Sequence, residues 1–83
     1  MKAILYLRSA SKELLSLGAA ERSRIVAKLK QYVADPSGLT NQVKALKGVA
    51  ALRLRVGDYR MIFRSEPDRI VVLEIGHRRD VYE

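Results

Sequence analysis

Hydrophobic residues recur along this chain with two periods, and the clearer pattern has a repeat of two. Apolar and basic residues alternate strictly over Leu52–Val56, and Tyr59–Arg64 is a second apolar run with arginine at positions 60 and 64. The turn-forming pair Gly57-Asp58 lies between the two runs. Two such runs joined by two turn-forming residues predict a β-hairpin. Because successive side chains of a strand point to opposite faces, Arg53 and Arg55 should share the face away from their apolar neighbours.

A helical repeat comes before the hairpin. Its apolar positions fall on one stripe with a period of 3.6 and predict a helix from about Ala19 to Ala34, ended by Asp35-Pro36. A shorter helix should precede it, with Ser9 or Ser11 as its N-cap and Leu17-Gly18 as its end. The stripe of the longer helix consists of Ile25, Val26, Leu29, Tyr32 and Val33.

Three further segments complete the predicted order of elements. Ala3–Leu7 is predicted to be a short, largely buried strand, and residues 37–45 a polar connector. After a turn at Pro67-Asp68, Ile70–Ile75 is the most hydrophobic run of the chain. We therefore place it centrally in the sheet, buried on both faces except at Glu74.

This order predicts an α+β fold: an N-terminal strand, a helical hairpin, and a three-stranded antiparallel meander. All the strands should form one small sheet with both helices on one face. The 83 residues suit a single domain, 1–83. No sequence remains to cover the face that carries Arg53 and Arg55, so we expect that face to meet solvent or a partner.

Charge and composition narrow the possible partners. The net charge is +7, which favours nucleic acid, the ribosome or an acidic protein, whereas the helices lack the exposed large apolar residues of a membrane-binding segment. The chain has no cysteine, so it has no disulfide framework and no thiol nucleophile. The apolar run Ala3–Leu7 is shorter than a secretory core, and we predict a cytoplasmic protein without a membrane span.

The candidate chemistry rests on arginine and tyrosine. A single histidine and scattered acids predict no metal site, and no nucleophile elbow or glycine-rich phosphate loop is present. Guanidinium groups can hold a phosphodiester and neutralise charge in phosphoryl transfer, as metal-free RNA cleavage requires. From the residues alone, catalysis, nucleic-acid binding without catalysis, and docking of an acidic protein stay open. The candidates are Lys44, Lys47, Arg53, Arg55, Arg60, His77, Arg78, Arg79 and Tyr82.

At these residues the sequence resembles a known family. The segments LKGVAALRLRVGDYRMIFR and VVLEIGHRRDVYE are similar to the RelE branch of the RelE/ParE toxin superfamily, from bacterial type II toxin–antitoxin modules. The resemblance implies a RelE-like fold and a ribosome-dependent mRNA endonuclease that inhibits translation without a metal or other cofactor. It also implies a cognate antitoxin as partner, with operator DNA contacted only through the antitoxin complex.

The resemblance also assigns roles. Arg53 matches a catalytic basic residue of the first hairpin strand, and Arg60 the arginine that contacts the phosphate. Arg78 matches the arginine proposed to stabilise charge or to protonate the leaving oxygen, and Tyr82 the tyrosine that stacks on or helps to activate the substrate. In studied members a second basic residue lies two positions before the one matched by Arg53, where this chain has Ala51. The remaining expected substrate contacts are Lys44, Lys47, Arg55, His77 and Arg79.

Two other functions remain in view. ParE-like relatives share the fold but inhibit DNA gyrase, and they generally lack this set of arginines and tyrosine. A catalytically degenerate toxin would act only as a binding module for its antitoxin, and Ala51 is the residue that favours this alternative.

Overall fold

The computed structural model describes residues 3–39, 42–48 and 50–77. One strand and two α-helices come first, and the second half of the chain forms the rest of the sheet. The elements are β1 (Ala3–Tyr6), α1 (Arg8–Ser16), α2 (Ala19–Ala34), a short 3₁₀ helix (Pro36–Leu39), β2 (Val43–Ala45), β3 (Leu52–Val56), β4 (Tyr59–Ser65) and β5 (Arg69–His77).

The described strands form one five-stranded sheet in the order β1-β5-β4-β3-β2. The meander β3-β4-β5 is antiparallel, as predicted, and β2 extends it antiparallel to β3. β1 pairs parallel to β5 at the opposite edge. The predicted α+β fold is therefore confirmed, with one strand more than the sequence indicated.

Both helices cover the same face of the sheet, because each has one apolar stripe to bury. In α2 the predicted stripe packs inward, with Ile25 and Leu29 almost fully buried. α1 contributes Ala10 and Leu14 to the same core. No helix among the described residues has the length and apolar character needed to cross a membrane.

The sheet meets these helices with side chains that lie in register across three strands. Leu54, Met61 and Ile75 are cross-strand neighbours and are at most 2% exposed. Phe63 lies one row further on and packs edge-to-face on Tyr32 of α2, with ring centroids 5.1 Å apart. We call this side the helix-covered face, and the other side the open face.

The hairpin turn follows its sequence prediction. Val56 and Tyr59 are cross-strand partners, so Gly57 and Asp58 form a two-residue loop. Gly57 has a φ of +58°, whereas Asp58 does not have a positive φ. Glycine at the first central position with positive φ is the pattern of a type II′ turn, whose twist matches that of the strands it joins.

Two predictions for the first half of the chain are wrong in detail. Helix α1 begins at Arg8 with Leu7 as N-cap, and the hydroxyl of Ser9 donates instead to the Leu73 carbonyl, 3.1 Å away. β1 is only half-buried, with Leu5 44% exposed, because it is an edge strand whose alternate residues lie on the open face.

The predicted connector 37–45 also contains structure. Its first part is 3₁₀-helical and its last part is β2, which pairs with β3. The Arg55 amide donates to the Gln42 carbonyl and the Leu46 amide to the Ala51 carbonyl, so main-chain bonds hold this edge. A three-residue strand has no periodicity to reveal it in the sequence.

β5 is an interior strand, as expected, although β4 occupies the middle of the sheet. Ile62 pairs with Glu74 while its neighbour Phe63 pairs with Val72, so Leu73 is an extra residue in β5. Such a β-bulge shifts the alternation of side chains by one position. Glu74 therefore lies on the open face and Ile75 in the core.

Candidate nucleic-acid interface

The predicted basic surface lies on the open face, where the cross-strand register brings its residues together. Lys44 of β2 is the partner of Arg53 in β3, and Arg55 in β3 is the partner of Arg60 in β4. These four cations, which we call the arginine face, occupy two adjacent rows of the sheet. A surface with charges of one sign attracts polyanions and raises their local concentration.

The Arg55–Arg60 pair brings two like charges opposite each other on the hairpin. The Arg55 amide donates to the Gln42 carbonyl at 3.0 Å, so it points away from β4. Arg55 and Arg60 are therefore a non-hydrogen-bonded pair, in which side chains approach more closely than in the alternate rows. Two guanidinium groups at this spacing suit a phosphodiester with two charged or partly charged oxygens between them.

Two of these arginines are partly buried. Arg53 and Arg60 are half-buried, and the Nε atoms of both, together with Nη1 of Arg60, have less than 1 Å² of accessible surface. Arg55 is exposed. The aliphatic stems of buried arginines shield apolar neighbours, and Ile62 between them on this face is only 7% exposed.

A carboxylate also lies beside the arginines, and sequence reasoning did not select it as a site residue. Glu74 is exposed and is the only acidic residue on any described strand. Arg53, Ile62 and Glu74 form one row across β3, β4 and β5. The backbones of the outer two strands are roughly 10 Å apart, and Ile62 lies between them with only 7% of its surface exposed.

Gly76 completes the floor of this site. It is the cross-strand partner of Arg60 and presents no side chain on the open face. The site thus has Ile62 and Gly76 beneath it, arginines on two sides and Glu74 on a third. The sequence signal for Glu74 is that strict alternation from Ile70 would have placed its charge in the core, a conflict that the bulge removes.

The structure does not bring one of the expected contacts to this surface. His77 pairs with Tyr59 on the helix-covered face, with ring centroids 5.6 Å apart and the rings at 80°. Lys47 is exposed in the turn between β2 and β3, and its role stays a prediction. The bulge at Leu73 also determines the face on which His77 lies.

Three predicted site residues, Arg78, Arg79 and Tyr82, lie outside the described residues. Among residues 3–39, 42–48 and 50–77, no group of three or more histidine, aspartate or glutamate side chains is placed to hold a metal ion. The charged groups of the described arginine face and its neighbour in β5 are the Lys44 ammonium, three guanidinium groups and the Glu74 carboxylate.

Comparison with known proteins gives a consistent picture. The sequence model of the ParE toxin of type II toxin–antitoxin systems (parDE) matches residues 4–82. A search of the curated proteins gave no significant match.

Several solved structures are similar. This chain is similar to a chain of the RelB–RelE antitoxin–toxin complex of Methanococcus jannaschii, with a TM-score of 0.74 at 25% identity over 94% of each chain. The RelBE2 toxin–antitoxin complex of Mycobacterium tuberculosis gives 0.77 at 20% identity, over 93% of this chain and 98% of the other. The isolated E. coli RelE toxin gives 0.76 at 18% identity, over 93% and 84%. The predicted resemblance to RelE/ParE toxins is confirmed.

Proposed function

Because this chain belongs to the ParE toxin family of type II toxin–antitoxin systems, we propose that it stops translation as a ribosome-dependent mRNA endonuclease. The observation that carries this proposal is the arrangement of Arg53, Arg55 and Arg60 in adjacent rows on the face of the sheet opposite the helices. Residues 1–83 would form one domain that acts in the cytoplasm, where its substrate is translated.

In the proposed reaction the arginine face holds the phosphodiester of the mRNA. The ribose 2′ oxygen attacks phosphorus, a P–O2′ bond forms and the P–O5′ bond breaks, which leaves a 2′,3′-cyclic phosphate and a 5′ hydroxyl. Charge on the nonbridging oxygens rises during the attack, and Arg53 and Arg60 would neutralise it. Donors that are fixed before the reaction stabilise such charge more than water does.

The reaction needs a proton acceptor for the 2′ hydroxyl, and an arginine is unsuitable because it stays protonated. Lys47 and Tyr82 are candidates from the sequence. We add Glu74, whose carboxylate faces the same side of the sheet as Arg53 and Arg60. A carboxylate at this place would make the second basic residue, absent at Ala51, unnecessary.

Two assignments rest on the family resemblance alone. Arg78 would stabilise the leaving 5′ oxygen or supply its proton, and Tyr82 would stack on a base of the substrate. Both follow β5 in the chain, and β5 is the strand that carries Glu74.

The proposed regulator is a cognate antitoxin. The similar structures from Methanococcus jannaschii and Mycobacterium tuberculosis are toxin–antitoxin complexes. The net charge of +7 suits an antitoxin with acidic segments, since complementary charge accelerates encounter and suppresses wrong partners. Contact with operator DNA would occur through that complex.

The test is primer extension on mRNA with purified toxin, with and without ribosomes. We expect cuts within translated codons only when ribosomes are present. Arg60→Ala should lower the cleavage rate about 100-fold, which is the effect of removing one positioned donor. In cells, Arg60→Ala and Arg78→Ala should each abolish toxicity. Lys12→Ala on α1 removes an exposed cation elsewhere and serves as the control. Intact transcripts in cells that nevertheless arrest would overturn the proposal.

A second candidate is inhibition of DNA gyrase, which the match to the ParE family favours. In that case the arginine face would contact gyrase or its DNA without bond cleavage. A supercoiling assay with purified gyrase separates the two functions. Loss of supercoiling without RNA cleavage would select this candidate.

A further inference from the structure

A groove runs along the edge of the sheet between α2 and the end of β3, outside the arginine face. It has a volume of about 670 Å³ and lies where β2 has ended and no longer covers β3. Residues from the helix line one wall, and residues from the hairpin line the other. The lining consists of Arg24, Ala27, Lys28, Gln31, Gln42, Arg55, Val56 and Gly57.

The charge of this groove has one sign. Arg24, Lys28 and Arg55 are cationic, and none of the lining residues is acidic. Arg24 and Lys28 are four residues apart on one side of α2, where like charges repel one another. Neither forms an ion pair within the part of the chain that the structure describes. Three cations kept together without a compensating acid indicate an anionic ligand.

One of these cations lies beside the hairpin turn. A Cβ added to Gly57 would be 2.9 Å from Nη2 of Arg24, so the Arg24 guanidinium reaches the glycine of the turn. Arg24 therefore brings a charge from α2 to the hairpin side of the groove.

The groove joins the arginine face at Arg55. This residue lines the groove and is also the cross-strand partner of Arg60 on the open face. A chain of regularly spaced phosphates could follow both surfaces around the edge of the sheet. We infer that the groove binds the phosphodiester backbone of single-stranded RNA next to the segment held on the arginine face. This inference rests on the proposed function and extends its substrate contacts.

The composition of the groove distinguishes RNA from an antitoxin helix. An amphipathic helix requires apolar pockets for its anchoring residues. Here only Ala27 and Val56 are apolar, and Val56 is 6% exposed. The groove has no aromatic residue for base stacking, so it would hold backbone phosphates rather than bases. Gln31 and Gln42 add amide donors that suit phosphate oxygens.

The test measures binding of the purified chain to a fluorescent oligouridylate without ribosomes, over a series of KCl concentrations. The test variant is Arg24→Ala/Lys28→Ala. The control is Lys12→Ala/Lys30→Ala, which removes the same charge from exposed positions of α1 and α2. Both pairs of cations lie within helices, where alanine preserves the structure.

Loss of two phosphate contacts should reduce the slope of log affinity against log salt by about 1.4, because each contact to a single strand contributes roughly 0.7. At about 0.1 M salt this corresponds to an affinity loss of roughly 25-fold relative to the unchanged chain. The control variant should keep a steeper salt dependence and a higher affinity than Arg24→Ala/Lys28→Ala.

Three outcomes are decisive. Equal losses for the two variants would overturn the groove as a site. If Arg24→Ala/Lys28→Ala lost more affinity for an oligoglutamate peptide than for RNA, RNA would be overturned as the ligand of the groove. A selective loss of RNA binding by Arg24→Ala/Lys28→Ala would support the groove even if primer extension failed to detect cleavage, so the groove and the proposed function can fail separately.

Discussion

Arg55 and Arg60 are direct cross-strand partners, and the main chain of Arg55 bonds to Gln42 instead of to β4. Like charges at such a position destabilise a sheet. A ligand that both guanidinium groups share would offset this repulsion, as the proposed function requires.

Replacing Arg55 with glutamate should separate stability from function. Arg55→Glu creates an opposite-charge pair and should raise the free energy of unfolding by about 0.2–1 kcal/mol. The same change should weaken RNA binding. Urea denaturation and RNA titration measure the two effects, with Arg55→Gln as the neutral control. A variant that is less stable than the original chain would contradict the repulsion argument.

The core beneath the sheet should respond to loss of volume. Leu54 is fully buried, so Leu54→Ala should lower the free energy of unfolding by about 2–5 kcal/mol. Leu15 is 68% exposed, and Leu15→Ala should change the free energy of unfolding by no more than about 0.5 kcal/mol. Chemical denaturation of both variants makes the comparison. Similar losses would mean that the core is wrongly placed.

The turn glycine should be sensitive because of its backbone conformation. Gly57→Ala forces a side chain into a positive φ, at a cost of roughly 1–2 kcal/mol. The Arg24 guanidinium, 2.9 Å from the added Cβ, is the end of a flexible side chain and can move aside. A double-mutant cycle with Arg24→Ala should therefore be additive within about 0.5 kcal/mol. A larger coupling would show that Arg24 is fixed against the turn.

The turn between β4 and β5 should contribute to pH dependence. Hydrogen bonds from Arg69 and then Arg64 lower the pKa of Glu66 below its ordinary value of 4.5. A depressed folded pKa stabilises the fold above the unfolded pKa, and this contribution is lost as the pH falls through the folded pKa.

Glu66→Gln should therefore lower the melting temperature slightly near neutral pH, and the difference from the original chain should vanish in acid. The effect should be small because the pair is exposed and screened. Thermal melts across an acid series measure it, with Glu13→Gln on α1 as the control. A difference that grows as the pH falls would contradict this sign.

The carboxylate on the open face gives a test of the chemistry. If Glu74 accepts the proton of the 2′ hydroxyl, Glu74→Gln should reduce the cleavage rate about 100-fold or more. Ribosome-programmed cleavage by the variant and the original chain provides the measurement, and urea denaturation of both shows whether a loss of rate reflects a loss of fold. An unchanged rate would return the role of base to Lys47 or Tyr82.

Much of the fold could be predicted because its strongest signals are periodic. The stripe of α2 gave its bounds from Ala19 to Ala34, and alternation in the hairpin placed Arg53 and Arg55 on the face opposite the helices. Both signals are local and repeat several times, so one mismatch does not obscure them. Predicting the arginine face required only the strand direction and the position of the turn.

The parts that sequence could not provide depend on single residues or on distant contacts. The extra residue at Leu73 reverses the alternation in β5, which moves Glu74 to the open face and His77 to the helix-covered face. A bulge leaves no periodic trace. The groove likewise combines Arg24 with Arg55, which are adjacent only after the helix has packed on the sheet.

The parallel pairing of β1 with β5 has a consequence for synthesis. Residues 3–6 find their partners at residues 69–72, so this contact closes a loop that spans most of the chain. Such long-range pairing is slow and raises the contact order of a small protein. A nascent chain can form α1 and α2 early, yet it cannot complete its sheet until β5 has been made. The surface that carries Arg53, Arg60 and Glu74 is thus assembled only at the end of folding, when β5 has docked between β1 and β4.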